Sequence, residues 1–193
     1  MNKGEVIDFF NTQAVHWDEH MIRNDEVIEE ILNNANVMEG KDVLDVACGT
    51  GVLVPDYLSR NVNSVTAIDI SPKMVEIAQE KFSQENVRII CADVETIDFP
   101  HKFDCIVVYN AFPHFEKPQR LIEKLSGLLK KGGTLTIAHG MSRERINQCH
   151  MGSAKKVSLG LISEEELANL FSKHLHVTLK ISDEKMYQVV GTI

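Results

Sequence analysis

Apolar residues along the chain fall into two alternating patterns. Short dense runs appear at Val43, Leu44 and Val46; at Val65, Thr66 and Ile68; at residues 86–91 (NVRIIC); at residues 103–109 (FDCIVVY); and at residues 134–138. Their length and β-branched content predict strands, the first and the fourth of them buried. Between them the spacing is helical. Val27, Ile28, Ile31, Leu32 and Ala35 make one stripe, Val75, Ala78 and Phe82 a second, and Leu121, Ile122, Leu125, Leu128 and Leu129 a third. Boundary residues agree with this division. Asn24 or Asp25 caps the first stripe, and Ser71-Pro72 starts the second. Lys117-Pro118 opens the third, with Gly132-Gly133 as its expected end. Residues 143–150 can form a short helix, and Ser163 with Glu166 makes a capping box. The chain closes on two strands, 176–181 and 186–193, joined by a polar turn. Strand and helix alternating in this way predict an α/β fold with a mostly parallel sheet.

Chemistry concentrates at the ends of the predicted strands. Residues 43–51 read VLDVACGTG: an apolar run with Asp45 inside it, then Ala47, Cys48, Gly49, Thr50 and Gly51. Small residues let backbone approach a ligand closely, and the helix that follows points its N-terminus at the same spot. Asp69 ends the second strand, where doubly wound folds bind a ribose diol. Ala92, Asp93 and Val94 follow the third strand. The fourth ends in Tyr109 and Asn110, followed by Ala111, Phe112, Pro113 and His114.

These residues resemble the class I S-adenosylmethionine-dependent methyltransferases. The first motif of that family is (V/I)LD(V/L)GCGTG, and this sequence departs from it at Ala47, where glycine is usual. Asp93-Val94 matches the family's adenine-recognition position, (A/G)D(A/V). The stretch LLKKGGTLTIAHG resembles LKPGGxLxI, with Lys131 in place of proline. Residues 9–19, FFNTQAVHWDE, are similar to F(D/N)xxAxxWD of the small-molecule methyltransferases, where the segment lies over the cofactor; Trp17 read without the resemblance is a packing residue. The resemblance spans about residues 5 to 193. It implies a doubly wound, seven-stranded sheet of order 3-2-1-4-5-7-6, with helices on both faces and an antiparallel last strand. It also implies S-adenosylmethionine as cofactor, held by Trp17, Asp45, Ala47, Cys48, Gly49, Gly51, Asp69, Ile70, Met74, Asp93, Val94, Tyr109 and Asn110. The loop after the fourth strand only partly matches the NPPY signature of nucleic-acid and protein amino-methylating enzymes, broken at Ala111, Phe112 and His114.

Methyl transfer from a sulfonium asks the protein to align the reactants, with a base only where the acceptor must lose a proton. His114 and His139 follow the carboxyl ends of central strands and are the candidate bases. His150 reaches the same region from residues 141–162, a polar acceptor-side loop or lid. Arg143 and Arg145 read as solvated charges or as a clamp for an acidic acceptor. Spacing does not force His114, His139, His150 and Cys149 together, so no metal is expected.

Composition narrows the partners. The chain has 193 residues, 44% hydrophobic and 25% charged, which suits one soluble methyltransferase domain whose residues 1–40 form a helical cap. A net charge of -8, from 20 basic and 28 acidic residues, argues against nucleic acid as the main partner. No run approaches the roughly 18 apolar residues that span a membrane. The start does not read as a signal peptide; Cys48, Cys91 and Cys105 read as buried free thiols, while Cys149, in a polar stretch beside His150, stays open as a thiol with a role; the expected location is cytoplasmic. The expected function is transfer of a methyl group to a small-molecule acceptor, attacked through oxygen, nitrogen, sulfur or carbon. Two alternatives remain: a cofactor-binding module without catalysis, and a nicotinamide-dependent oxidoreductase. The second asks for GxGxxG, and the sequence lacks its third glycine.

Overall fold

Seven strands form one sheet in the order β3-β2-β1-β4-β5-β7-β6. The ranges are β1 Asp42–Val46, β2 Ser64–Asp69, β3 Val87–Cys91, β4 Phe103–Tyr109, β5 Leu129–His139, β6 His176–Ser182 and β7 Tyr187–Thr192. The computed structural model describes residues 2–151 and 153–193. Strands β3, β2, β1, β4 and β5 pair in parallel, and β7 lies antiparallel between β5 and β6. This is the predicted topology. Helices α1 Lys3–Gln13, α2 Trp17–His20 and α3 Asp25–Asn34 precede the sheet. The others are α4 Val54–Ser59, α5 Pro72–Lys81, α6 Pro118–Gly127, α7 Arg143–His150 and α8 Glu164–Phe171.

The inner strands β1, β2, β4, β5 and β7 bury both faces, as dense apolar runs require, while the edge strands β3 and β6 stay partly exposed. On one face Leu44, Val46, Ile106, Val108, Leu135 and Ile137 pack under α6 and α8, against Leu121, Leu125, Leu167 and Phe171. On the other Val43, Val65, Ala67 and Val107 meet Ile28, Leu32 and Tyr57 from α3 and α4. The chain winds outward from β1 to β3, then returns to β4 on the far side of β1. That reversal opens a crevice at the carboxyl ends of β1 and β4, where ligands of such sheets bind. None of the helices is long and apolar enough to cross a membrane, the described residues being those searched.

Two sequence expectations change. Gly132-Gly133 does not end α6, which stops at Gly127. The pair lies inside β5, beside a register shift against Phe103 and Cys105. A side chain at Gly133 would stand 2.9 Å from the Lys130 carbonyl and 3.0 Å from that of Asp104, so the close approach of backbone asks for glycine. Cys48 and Cys105 are buried as expected, but Cys91 is exposed because β3 is an edge strand; Cys149, in its polar stretch, is exposed too.

Candidate active site

The turn after β1 is left-handed at three places: Ala47 (φ 57°), Gly49 (φ 56°) and Gly51 (φ 82°). Alanine at a left-handed position is strained by roughly 1–2 kcal/mol. The glycine the family uses would relieve this, less the entropy it adds to the unfolded chain. Ala47→Gly is therefore expected to stabilise the protein by about 0.5–1 kcal/mol, raising Tm by about 2 °C. A calorimetric melt checks this, and a lower Tm contradicts it.

Asp69, 9% exposed, organises the turn. Its Oδ2 accepts from the Gly49 N–H at 2.8 Å, and its Oδ1 from the Ser71 N–H at 2.8 Å. One carboxylate thus ties the glycine turn to the start of α5, where Ser71 caps and Pro72 follows. Burial raises its pKa, and the N–H groups of Ser71, Gly49 and Ile70 resist that rise. Asp45 is 2% exposed, and its Oδ2 has no hydrogen-bond partner among the described residues. Burial pushes its pKa up to about 7, Asp69 adds to the rise, and the Tyr57 hydroxyl offsets part of it. Burial, with Asp45 and Asp69 nearby, also drives the Cys48 thiol well above its usual value, so it stays protonated and is a poor nucleophile.

The third acid, Asp93, turns the chain after β3. Its carboxylate accepts from the Glu95 N–H at 3.0 Å and from Lys3 Nζ at 2.5 Å. Lys3 belongs to the N-terminal cap, which is also fastened at other points around the cavity. Asn11 Oδ1 accepts from Ser71 Oγ at 2.8 Å. Asp18 accepts from Thr50 Oγ1 at 2.5 Å and pairs with Lys81 at 2.8 Å. Each fastening lands beside a predicted cofactor residue. Phe10 stands edge-on to both Trp17 and His114, with ring centroids 5.7 and 5.0 Å apart.

On the acceptor side, Asn110 is itself left-handed (φ 54°), and its Oδ1 accepts from the Gly140 N–H at 3.0 Å, joining the ends of β4 and β5. A 3-10 turn, Phe112–His114, follows. His114 Nδ1 lies 2.7 Å from the Val157 carbonyl. A carbonyl only accepts, so Nδ1 carries the proton and the basic nitrogen of the neutral ring is Nε2. The Leu159 N–H donates to the Pro113 carbonyl at 2.9 Å, so the segment after α7 is pinned to this turn.

These groups enclose one cavity with an empty volume of about 1210 Å³, counted into open solvent at its mouth. Trp17, Asp45, Ala47, Cys48, Gly49, Asp69, Ile70, Met74, Asp93, Val94, Tyr109, Asn110 and His114 all line it. Two predicted residues do not. Gly51 sits behind the turn, where a side chain would stand 2.6 Å from the Phe82 ring; its place is to let α4 start against α5. His139 is 1% exposed and stands edge-on to Tyr187, its partner across β5 and β7. Alternation along β5 puts it on the Leu135–Ile137 face, beside Tyr187 and outside the cavity lining. His139 is therefore withdrawn as a base. The His150 side chain lies outside the described residues, and among those described no three metal-ligating side chains converge. Arg143 and Arg145 do not line the cavity. Sequence reasoning missed Asn2, Lys3, Phe10, Met21, Glu95 and Glu116, which do. Glu95 sits two residues after Asp93, and the capping box of Asn2 with Glu5 marks where α1 begins, but neither names a partner 90 residues away.

Strand order, the glycine turn and the inserted antiparallel strand define a class I methyltransferase fold. The family model described as methyltransferase domain matches residues 43–133. A malonyl-(acyl-carrier protein) O-methyltransferase from Acetivibrio thermocellus is 37% identical over 98 residues, which is 50% of this chain and 35% of that protein. One of the same name from Priestia megaterium is 27% identical over 178 residues, covering 89% and 64%. The matched region is thus less than two thirds of either relative's length. Among solved structures, the magnesium protoporphyrin IX methyltransferase of Synechocystis PCC 6803, with bound S-adenosylhomocysteine, aligns over 99% of both chains with a TM-score of 0.73 at 17% identity. Residues 43–133 thus match a methyltransferase domain, and the fold over nearly the whole chain is that of the class I methyltransferases. That sets the nicotinamide reading aside.

Proposed function

We propose that this chain transfers a methyl group from S-adenosylmethionine to a small-molecule acceptor that must lose a proton, releasing S-adenosylhomocysteine. The observation that carries the reading is the meeting of Asp45, Asp69 and Asp93, from three strand ends, around one cavity bounded by a turn of small residues. The residues suit the cofactor. The buried Asp45 Oδ2, without a partner among the described residues, matches an ammonium group. Asp69 spends one lone pair of each oxygen on the turn and keeps acceptor capacity for two ribose hydroxyls. Ile70 and Val94 would flank the adenine ring, with Asp93 at its amine.

The cofactor supplies a methyl group already activated by positive sulfur. This chain's residues supply the rest. Phe10, Trp17 and Met21 cover the cavity and exclude water. Tyr109 and Asn110 border the acceptor end. His114, its tautomer set by the Val157 carbonyl, takes the acceptor proton on Nε2. That favours a hydroxyl, phenol or thiol acceptor. Relatives are named for malonyl-(acyl-carrier protein) and magnesium protoporphyrin IX, so tethered and free acceptors both belong in the test. The test is a panel of phenols, thiols, alcohols, amines, acids and acyl thioesters, read by S-adenosylhomocysteine release. Release stimulated by a phenol, thiol or alcohol supports the reading. Release with no member of the panel, from protein that binds the cofactor, supports the binding-module alternative.

A pH dependence follows from Asp45. A cationic ligand selects the ionised carboxylate, so cofactor affinity should weaken about tenfold per unit below pH 7 and level off above it. Binding at pH 6 should release protons, seen as buffer-dependent heat. In the free protein the sign reverses. The folded pKa lies above the ordinary 3.8, so this group's stabilisation is full below about pH 4 and fades as pH climbs through about 7. Asp45→Asn should flatten both profiles; a variant that keeps the wild-type slope contradicts the assignment.

A further inference from the structure

Glu95 holds a buried acceptor that the function described so far does not use. Its side chain is 8% exposed and lines the cavity beside Asp93. Oε2 pairs with Lys3 Nζ at 2.6 Å, and the same ammonium holds Asp93 Oδ2 at 2.5 Å. Oε1 is buried and has no hydrogen-bond partner among the described residues. Leaving a buried carboxylate oxygen without a donor is costly, so the site is built for a donor that arrives from the cavity. The Glu95 N–H is already spent on Asp93 Oδ1, which fixes the two carboxylates relative to one another. Lys3 between them offsets much of their mutual repulsion.

An exocyclic amine is the group that such a pair fits. It has two N–H bonds diverging in one plane, whereas a hydroxyl has one O–H. We propose that Glu95 is a specificity residue that takes the second N–H of the cofactor's adenine amine on Oε1, while Asp93 takes the first. The inference rests on the cofactor assignment above and goes beyond it: the site reads the amine twice, with two acceptors and no neutral alternative. A ring bearing a carbonyl at that position would place its oxygen against both carboxylates. A site built to hydrogen-bond a donor rejects the analogue that lacks it far more strongly than one shaped by apolar packing.

The experiment compares S-adenosylhomocysteine with S-inosylhomocysteine, its deaminated analogue, by calorimetric titration of the wild type, Glu95→Gln and Lys3→Met. Wild type should prefer the adenosyl compound by about a hundredfold or more. In Glu95→Gln the side-chain amide can turn its NH₂ toward the ring carbonyl. Adenosyl affinity should fall about tenfold while inosyl affinity holds or improves, so the preference collapses by at least about tenfold. Lys3→Met, which loosens the cap and leaves both acceptors, should weaken both ligands by a similar factor. A Glu95→Gln variant that melts like wild type and keeps the full preference overturns the proposal and leaves Glu95 as the cap's ion-pair partner. Failure of wild type to bind either compound would instead sink the cofactor assignment.

Discussion

His114→Asn is expected to lower kcat by about 10²–10⁴ while leaving cofactor affinity within about twofold. Asparagine keeps an N–H near the position of Nδ1, so the 2.7 Å bond to the Val157 carbonyl can persist and the loop after α7 stays docked. What it lacks is the second, basic nitrogen. The ring also stands edge-on to Phe10, and a smaller side chain loosens that contact, which is why affinity is measured beside turnover. A pH–rate profile separates the effects. Loss of a base removes the acidic limb of kcat, whereas loosened packing shifts the whole profile. A variant with more than a tenth of wild-type kcat on a phenol or thiol acceptor would make His114 a wall of the cavity and nothing more.

Asp69→Ala is expected to weaken S-adenosylhomocysteine binding by more than about a hundredfold, for two reasons that act together. The ribose loses its carboxylate, and charge-assisted hydrogen bonds are the strong ones. The turn also loses its anchor. The Gly49 and Ser71 N–H groups are left without acceptors in a buried site, which costs about 1–3 kcal/mol each. Tm should therefore drop along with affinity. Asp69→Asn separates the two. Its carbonyl oxygen can still accept from one of those N–H groups, so most of the stability should return while affinity remains at least about tenfold below wild type. If Asp69→Asn binds as wild type does, the carboxylate is structural and the ribose is held elsewhere.

Much of this site could be read from the chain because its chemistry is local. The turn needs small residues where the backbone is left-handed, and Ala47, Gly49 and Gly51 announce it. Asp69 is followed at once by Ser71-Pro72, a helix start that places the acid at a strand tip. The closing hairpin is visible as two strands around Ser182, Asp183, Glu184 and Lys185, and its place in the sheet came with the resemblance. What escaped depends on facing and on distance. A strand-end position gives the height of His139 in the crevice, but not which face of β5 it takes; the side chain packs edge-on to Tyr187, outside the cavity lining. Gly132-Gly133 carries the composition of a helix stop, and only the contact with the Asp104 carbonyl reveals it as a bulge in a strand. Lys3 and Glu95 are ordinary surface residue types until the cap folds back over β3 and puts an ammonium between two carboxylates.

The most direct test is calorimetric titration of the folded protein with S-adenosylhomocysteine at pH 6 and pH 8. One molecule should bind per chain, about tenfold more tightly at pH 8, with proton release at pH 6 and a change in the fluorescence of Trp17, the sole tryptophan. No heat and no fluorescence change at either pH, from protein with a cooperative melt, would contradict the account.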